Sequence, residues 1–242
     1  MITALNVEKL RLDMGEYVLS VQGLGKRVRG REALRRVDLD VKLGSFTALV
    51  GPAGAGKTLT LACIAGASRP TRGRVRYFGY EIRGRAQERV ARMGVVRTHQ
   101  TPQPFGGMSV LDTVTVGALL RKPQVRAARA HAREILALTG LTECEALRFE
   151  QLDALDRKRL ELARALATEP QLLLLDDLAA GLETPAVVAL GGIFTALRGR
   201  GTTVVAAART LEHLPLSADD VVAIDRGKTA EIGADAAINL RA

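Results

Sequence analysis

The sequence predicts an α/β fold in which a parallel sheet is buried on both faces. Three observations predict it. Residues 172–175 and 202–207 are short uninterrupted apolar runs, as strands buried on both faces require. Residues 45–50 form a third such run, which ends at a glycine and is followed by a helical pattern over 57–66. Strand-like segments dominate the beginning of the chain, a helical stretch fills residues 101–165, and alternating strands and helices return after it.

The elements follow in order. Residues 18–24 and 37–41 alternate or cluster as strands do, and residues 74–78 return as a strand after the turn signal at Gly73. Ser109, with Asp112 three residues later, makes a capping-box signal that opens a helix over 110–120. Residues 126–138 and 157–167 carry helical patterns, and Thr184 with Pro185 opens another helix that Gly201 closes. No internal repeat or long linker interrupts the series.

Composition narrows the function classes. With 242 residues and 47% hydrophobic content the chain can bury a substantial core. A net charge of +9 suits nucleic acid or an anionic membrane surface. Arginine greatly outnumbers lysine, alanine is abundant, and only 3% of residues are aromatic, so a solvated basic surface is favoured and no nucleic-acid partner is expected. No apolar stretch approaches the roughly 18 residues of a membrane-spanning helix, and charges in residues 1–17 break any signal-peptide core. The expectation is a cytoplasmic protein whose membrane role requires another chain. Cys63, Cys144 and three scattered histidines suggest neither a disulfide framework nor a zinc site.

The chemistry is carried by Gly51-Pro52-Ala53-Gly54-Ala55-Gly56-Lys57-Thr58, which satisfies G-x-x-x-x-G-K-[ST] between a predicted strand and a predicted helix. Glycines let backbone N–H groups curl around phosphate oxygens, and the helix that continues through Leu59 adds its positive end. Lys57 reaches the terminal phosphates and the Thr58 hydroxyl binds Mg²⁺, so the expected ligand is ATP with Mg²⁺. Residues 172–175 run into Asp176 and Asp177, carboxylates at the strand end where a parallel sheet places ligands. Asp176 would hold Mg²⁺ through water.

On these motifs the chain resembles an ABC ATPase over residues 18–241, which implies a P-loop NTPase fold with a RecA-like core, an antiparallel β-subdomain and a helical subdomain. The implied division of the single domain is 18–100 for the β-subdomain and P-loop core, 101–165 for the helical subdomain, and 166–242 for Walker B and the rest of the core. Residues 96–100 resemble the Q-loop, whose Gln100 would sense Mg²⁺ and link to the membrane subunit. Residues 164–170 resemble the stretch before Walker B. Arg97-Thr98-His99-Gln100, then Pro104-Phe105 and Met108-Ser109-Val110-Leu111, is most similar to ATP-binding subunits of branched-chain amino-acid importers.

The departures carry as much information. Where the family has its Leu-Ser-Gly-Gly-Gln signature, the chain reads Leu152-Asp153-Ala154-Leu155-Asp156. In the family that loop and the following helix meet the γ-phosphate held by the opposite subunit. Leu155 adds bulk there, and Asp153 adds a negative charge worth about 1 kcal/mol of repulsion per close pair in water-like screening. Asp177 stands at the catalytic-glutamate position, one methylene short, and Arg209 stands at the switch-histidine position, where it cannot act as a neutral relay. Val28 stands where an aromatic residue stacks on adenine.

The resemblance therefore implies an ATP-binding subunit that works beside transmembrane permease subunits and a second ATPase subunit, in a homo- or heterodimer peripheral to the inner face of the cell membrane. It would couple ATP binding to solute import with low intrinsic hydrolysis. Two other readings stand beside it at this level: a regulatory or structural subunit that binds nucleotide without turning it over, and a nucleic-acid-associated ABC protein supported only by charge. A slow but working ATPase in which Asp177 and Arg209 are tolerated variants is the less favoured alternative.

Overall fold

Whether a strand lies inside a sheet or at its edge is legible from which of its residues are buried. The computed structural model of the protein describes residues 17–98, 106–215 and 217–230. Three strands, β3 (Phe46–Val50), β7 (Leu172–Asp176) and β8 (Thr203–Ala208), are buried at every position. They are neighbours in a parallel sheet of order β9-β3-β8-β7-β6, with β9 (Asp220–Asp225) and β6 (Val95–Arg97) on the two sides. Alternate residues of one strand serve two cores. Leu173 and Leu175 of β7 with Val204 and Ala206 of β8 enter one hydrophobic cluster, while Leu172, Leu174, Val205 and Ala207 enter the other.

The first cluster is closed by α3 (Val110–Ala118), α4 (Val125–Thr139), α5 (Ala154–Leu166) and α6 (Thr184–Gly199). The second is closed by α1 (Lys57–Ile64) and by an antiparallel sheet. That sheet begins with β1 (Tyr17–Val28) and β2 (Arg31–Lys42), a hairpin whose two-residue turn, Arg29 and Gly30, has both φ angles positive as tight hairpins demand. Its other strands are β4 (Arg72–Tyr77) and the short β5 (Tyr80–Glu81). A final strand, β10 (Lys228–Ala230), runs parallel to β2 and antiparallel to β9, so it stitches the two sheets into one of ten strands.

Most expected elements are present, with shifted ends. The capping signal is real: the Ser109 hydroxyl accepts from the Asp112 N–H at 3.1 Å and donates to its carboxylate at 2.7 Å. The short helix α2 (Gln87–Arg92) and strands β5, β6, β9 and β10 had no individual sequence expectation. One expectation is corrected. The segment from Leu152 to Asp156 was expected to be a loop ahead of a helix at 157, but α5 begins at Ala154, because Asp153 caps it three residues earlier.

α3 and α5 cross with almost no space between them. A Cβ placed on Gly117 of α3 would lie 2.5 Å from the Arg164 carbonyl oxygen of α5, whereas one placed on Gly192 of α6 meets nothing within 4 Å. Gly117→Ala is therefore expected to destabilise the protein by about 1–3 kcal/mol through overpacking. Gly192→Ala should gain up to about 1 kcal/mol from helix propensity. Thermal melting of the two variants checks the contrast, which propensity alone would not produce.

Candidate functional site

The site forms where β3 ends and α1 begins. Residues 51–56 make a tight loop whose backbone leaves no room for side chains at two places. A Cβ on Gly51 would stand 2.1 Å from the Ile224 carbonyl oxygen of β9, and one on Gly56 (φ 112) would stand 2.6 Å from Leu34 of β2. Gly56 also begins α1 with no side-chain cap, so the first N–H groups of that helix remain available to an anion.

Lys57 is only 9% exposed, and its Nζ donates to the carbonyl oxygens of Gly51 at 2.6 Å and Pro52 at 2.9 Å. Burial draws its ammonium below the usual lysine range, opposed by Asp177 and Asp176 and reinforced by Arg209. The cation, both acids and the arginine from the end of β8 therefore share one electrostatic neighbourhood, although they come from three separate stretches of chain.

Asp176 closes β7 and is 1% exposed. Its Oδ1 accepts from the Thr58 hydroxyl at 2.9 Å, its N–H donates to Thr98 Oγ1 at 3.3 Å, and Arg97 Nη2 lies 3.6 Å from Oδ2. Oδ2 has no hydrogen-bond partner despite its burial. Desolvation raises the carboxyl above the usual aspartate range, against the pull of Thr58 and Arg97. A hydroxyl and a carboxylate brought together with an unsatisfied oxygen suit a hard cation that takes oxygen ligands. Asp177 follows with φ 51, in the left-handed region, and its N–H donates to Ala207 at 3.1 Å. Gln100, the third expected metal contact, lies outside the described residues.

The other expected residues do not all lie together. Gly54, Ala55, Gly56, Lys57, Thr58 and Leu59 line a cavity of about 500 Å³ together with Glu32, Ala33, Arg35 and Arg226. Val28, at the end of β1, is 42% exposed and is absent from that lining. Arg209 is exposed just beyond β8. The signature-like residues lie at the start of α5. Leu152 is buried and Leu155 packs against the first core cluster. Asp153 Oδ1 accepts from the Asp156 N–H at 2.7 Å, and Asp156 pairs with Arg159 at 2.9 Å and takes a contact from the Cys144 thiol at 3.7 Å. Asp153 is thus occupied as a helix cap.

Sequence reasoning missed Arg35, Arg226 and Lys158. The first two reach the cavity through pairing between distant strands. Lys158, on α5, is buried, which draws its ammonium below the usual range against the pull of Asp177 and Glu161. No local motif marks any of the three.

Comparison with known proteins agrees with this geometry. Residues 34–180 match the ABC transporter family. The chain is 33% identical over 207 residues to the high-affinity branched-chain amino acid transport ATP-binding protein LivG of Escherichia coli, covering 79% of this chain and 81% of the relative. It is 31% identical over 230 residues to BraF of Pseudomonas aeruginosa, described in the same words, covering 88% and 90%. Among solved structures, it superposes with a TM-score of 0.80 at 25% identity on cbiO1 from Clostridium perfringens, part of the ABC transporter complex cbiONQ, covering 90% of this chain and 88% of that one. An ATP-binding cassette of an ABC transporter in its ADP conformation gives 0.79 at 23% identity, with 89% and 90% covered.

The cap at Asp153 yields a direct expectation. Asp153→Ala should lower stability by about 1 kcal/mol, while Asp153→Ser, which retains an acceptor for the Asp156 N–H, should lose little. Chemical denaturation midpoints of the two variants measure the difference, and equal losses would mean the side chain does not cap α5.

Proposed function

The chain belongs to the ABC transporter family, and on that premise we propose that it is the ATP-binding subunit of an importer for branched-chain amino acids or closely similar solutes. The observation that carries the nucleotide reading is the loop of residues 51–56 feeding α1, with Thr58 hydrogen-bonded to a buried Asp176. In this reading the loop N–H groups and Lys57 bind the phosphates. Lys57 now satisfies its charge on two carbonyls of its own loop, and phosphate oxygens are stronger acceptors for it.

Thr58 and Asp176 fit a bound Mg²⁺, and Gln100 would join them. When bound, Mg²⁺ neutralises charge that builds on the phosphates during transfer. Asp177 and Arg209 take the water-activating positions. An aspartate one methylene short and a permanently charged arginine are poor versions of a base and a neutral relay. General-base assistance is worth about 10²–10⁴ in rate, so turnover in this reading is slow.

The partners in this reading are transmembrane permease subunits and a second ATPase subunit, with the protein peripheral to the inner face of the membrane. No helix among the described residues is long and apolar enough to cross a membrane. The division into 18–100, 101–165 and 166–242 belongs to the same reading, the middle part docking on the permease. The solute class rests on the likeness to the branched-chain amino acid transport proteins LivG and BraF.

Two measurements test this. In calorimetry, Lys57→Ala should weaken MgATP binding at least tenfold relative to the native chain, and equal affinities would remove the phosphate role. Second, Asp177→Glu with Arg209→His should raise phosphate release by about 10-fold or more, with little change in ATP affinity. Rapid turnover by the native chain, matching the repaired one, would show that Asp177 and Arg209 already do the chemistry.

A further inference from the structure

The cavity over the glycine loop has an outer wall with no ring in it. Among the described residues, the lining outside the loop and α1 is Glu32, Ala33 and Arg35 of β2 and Arg226 of the β9–β10 turn, and Val28 is not part of it. A nucleotide that places its phosphates on the loop presents its base to this wall, where the planar groups are guanidinium ions.

Arg226 is the better placed of the two arginines. Its φ of 45 lies in the left-handed region that non-glycine residues rarely occupy. The next residue holds it there. Gly227 donates its N–H to the Ala55 carbonyl of the loop at 2.9 Å, and its own carbonyl accepts from the N–H groups of Arg35 at 2.7 Å and Arg36 at 3.0 Å. The backbone under Arg226 is therefore fixed to the phosphate cradle and to β2 together. The side chain itself is 85% exposed, with Nε 3.7 Å from Asp225, a solvated pair too weak to compete with a planar contact out of water.

We propose that Arg226 is the purine-base platform of this protein, its guanidinium plane lying on the base as an aromatic ring otherwise would. The inference rests on the nucleotide-binding reading above. The phosphates fall to Lys57 and the loop N–H groups, which leaves the exposed Arg226 side chain to the rest of the ligand. Glu32 lines the same cavity, 3.5 Å from Arg72, and its carboxylate is an acceptor for sugar hydroxyls. Guanidinium supplies both a flat face and a cation attracted to the π-system, so it replaces a ring without needing one.

The test separates face from charge. Native protein, Arg226→Ala, Arg226→Lys and Arg226→Trp are each titrated by calorimetry with MgATP and with inorganic triphosphate, and their melting temperatures are compared to establish that all are folded. The expected result is that Arg226→Ala loses at least about fivefold in affinity for ATP and nothing for triphosphate. Arg226→Lys, which keeps the charge without the plane, stays weak for ATP, and Arg226→Trp, which keeps the plane without the charge, recovers most of the affinity. Unchanged ATP affinity in Arg226→Ala overturns the proposal while leaving ATP binding intact. Equal losses for ATP and triphosphate overturn it too, because Arg226 would then be a phosphate contact. If the native protein binds neither ligand, the nucleotide reading falls and takes this inference with it.

Discussion

A carboxylate that is 1% exposed at the end of a strand must be compensated, and the surroundings of Asp176 are built to that requirement. Desolvating an ionised carboxyl is costly unless partners return the lost hydration. Thr58 from α1, Thr98 and Arg97 from the end of β6 all converge on it, and Lys57 stands in the same field. The compensation is incomplete, since Oδ2 keeps no hydrogen bond and the carboxyl remains above its usual range. An incompletely satisfied charge gathers neighbours and leaves a need that a cation meets. The loop, the helix start and β6 are positioned by that single buried charge as much as by their own propensities.

The core of the fold was legible because its strands are buried on both faces and so lose their polar alternation. Residues 172–175 and 45–50 read as strands for that reason. The shortest strands were not, since β5 and β10 have two and three residues and β6 three, too few for a period to develop. The glycine loop was legible because its chemistry is local, eight consecutive residues with no distant partner needed to recognise them. The other wall of the cavity was not. Arg35 and Arg226 are 191 positions apart and reach one cavity through the pairing of β10 with β2 and the bonds of the Arg35 and Arg36 N–H groups to Gly227.

The signature-like segment shows how a substitution can change occupation as well as charge. Read as sequence, Asp153 is an acid near phosphate. In the structure one of its oxygens is engaged with the Asp156 N–H, and Asp156 is itself neutralised by Arg159. Leu155 turns into the core cluster. The segment is stabilised as the first turn of α5 by the residues that set it apart from the family pattern. Helix stability and surface chemistry are therefore coupled at these positions: a serine in place of Asp153 would keep a cap, but small residues in place of Leu155 and Asp156 would remove an apolar contact and an ion pair together.

β9 lies between β10 and β3, and its Ile224 carbonyl backs Gly51 while Gly227 braces Ala55. The cradle near residue 50 is thus walled by segments made more than 170 residues later. During synthesis the glycine loop leaves the ribosome long before its buttress exists, at rates of about 5–20 residues per second. The nascent chain can form the β1–β2 hairpin and α1 early, but a shaped phosphate site appears only when β9 inserts beside β3. Ligand competence is in this sense a late checkpoint on chain completion, and a message cut short before that strand yields a polypeptide holding every residue of the motif and no site.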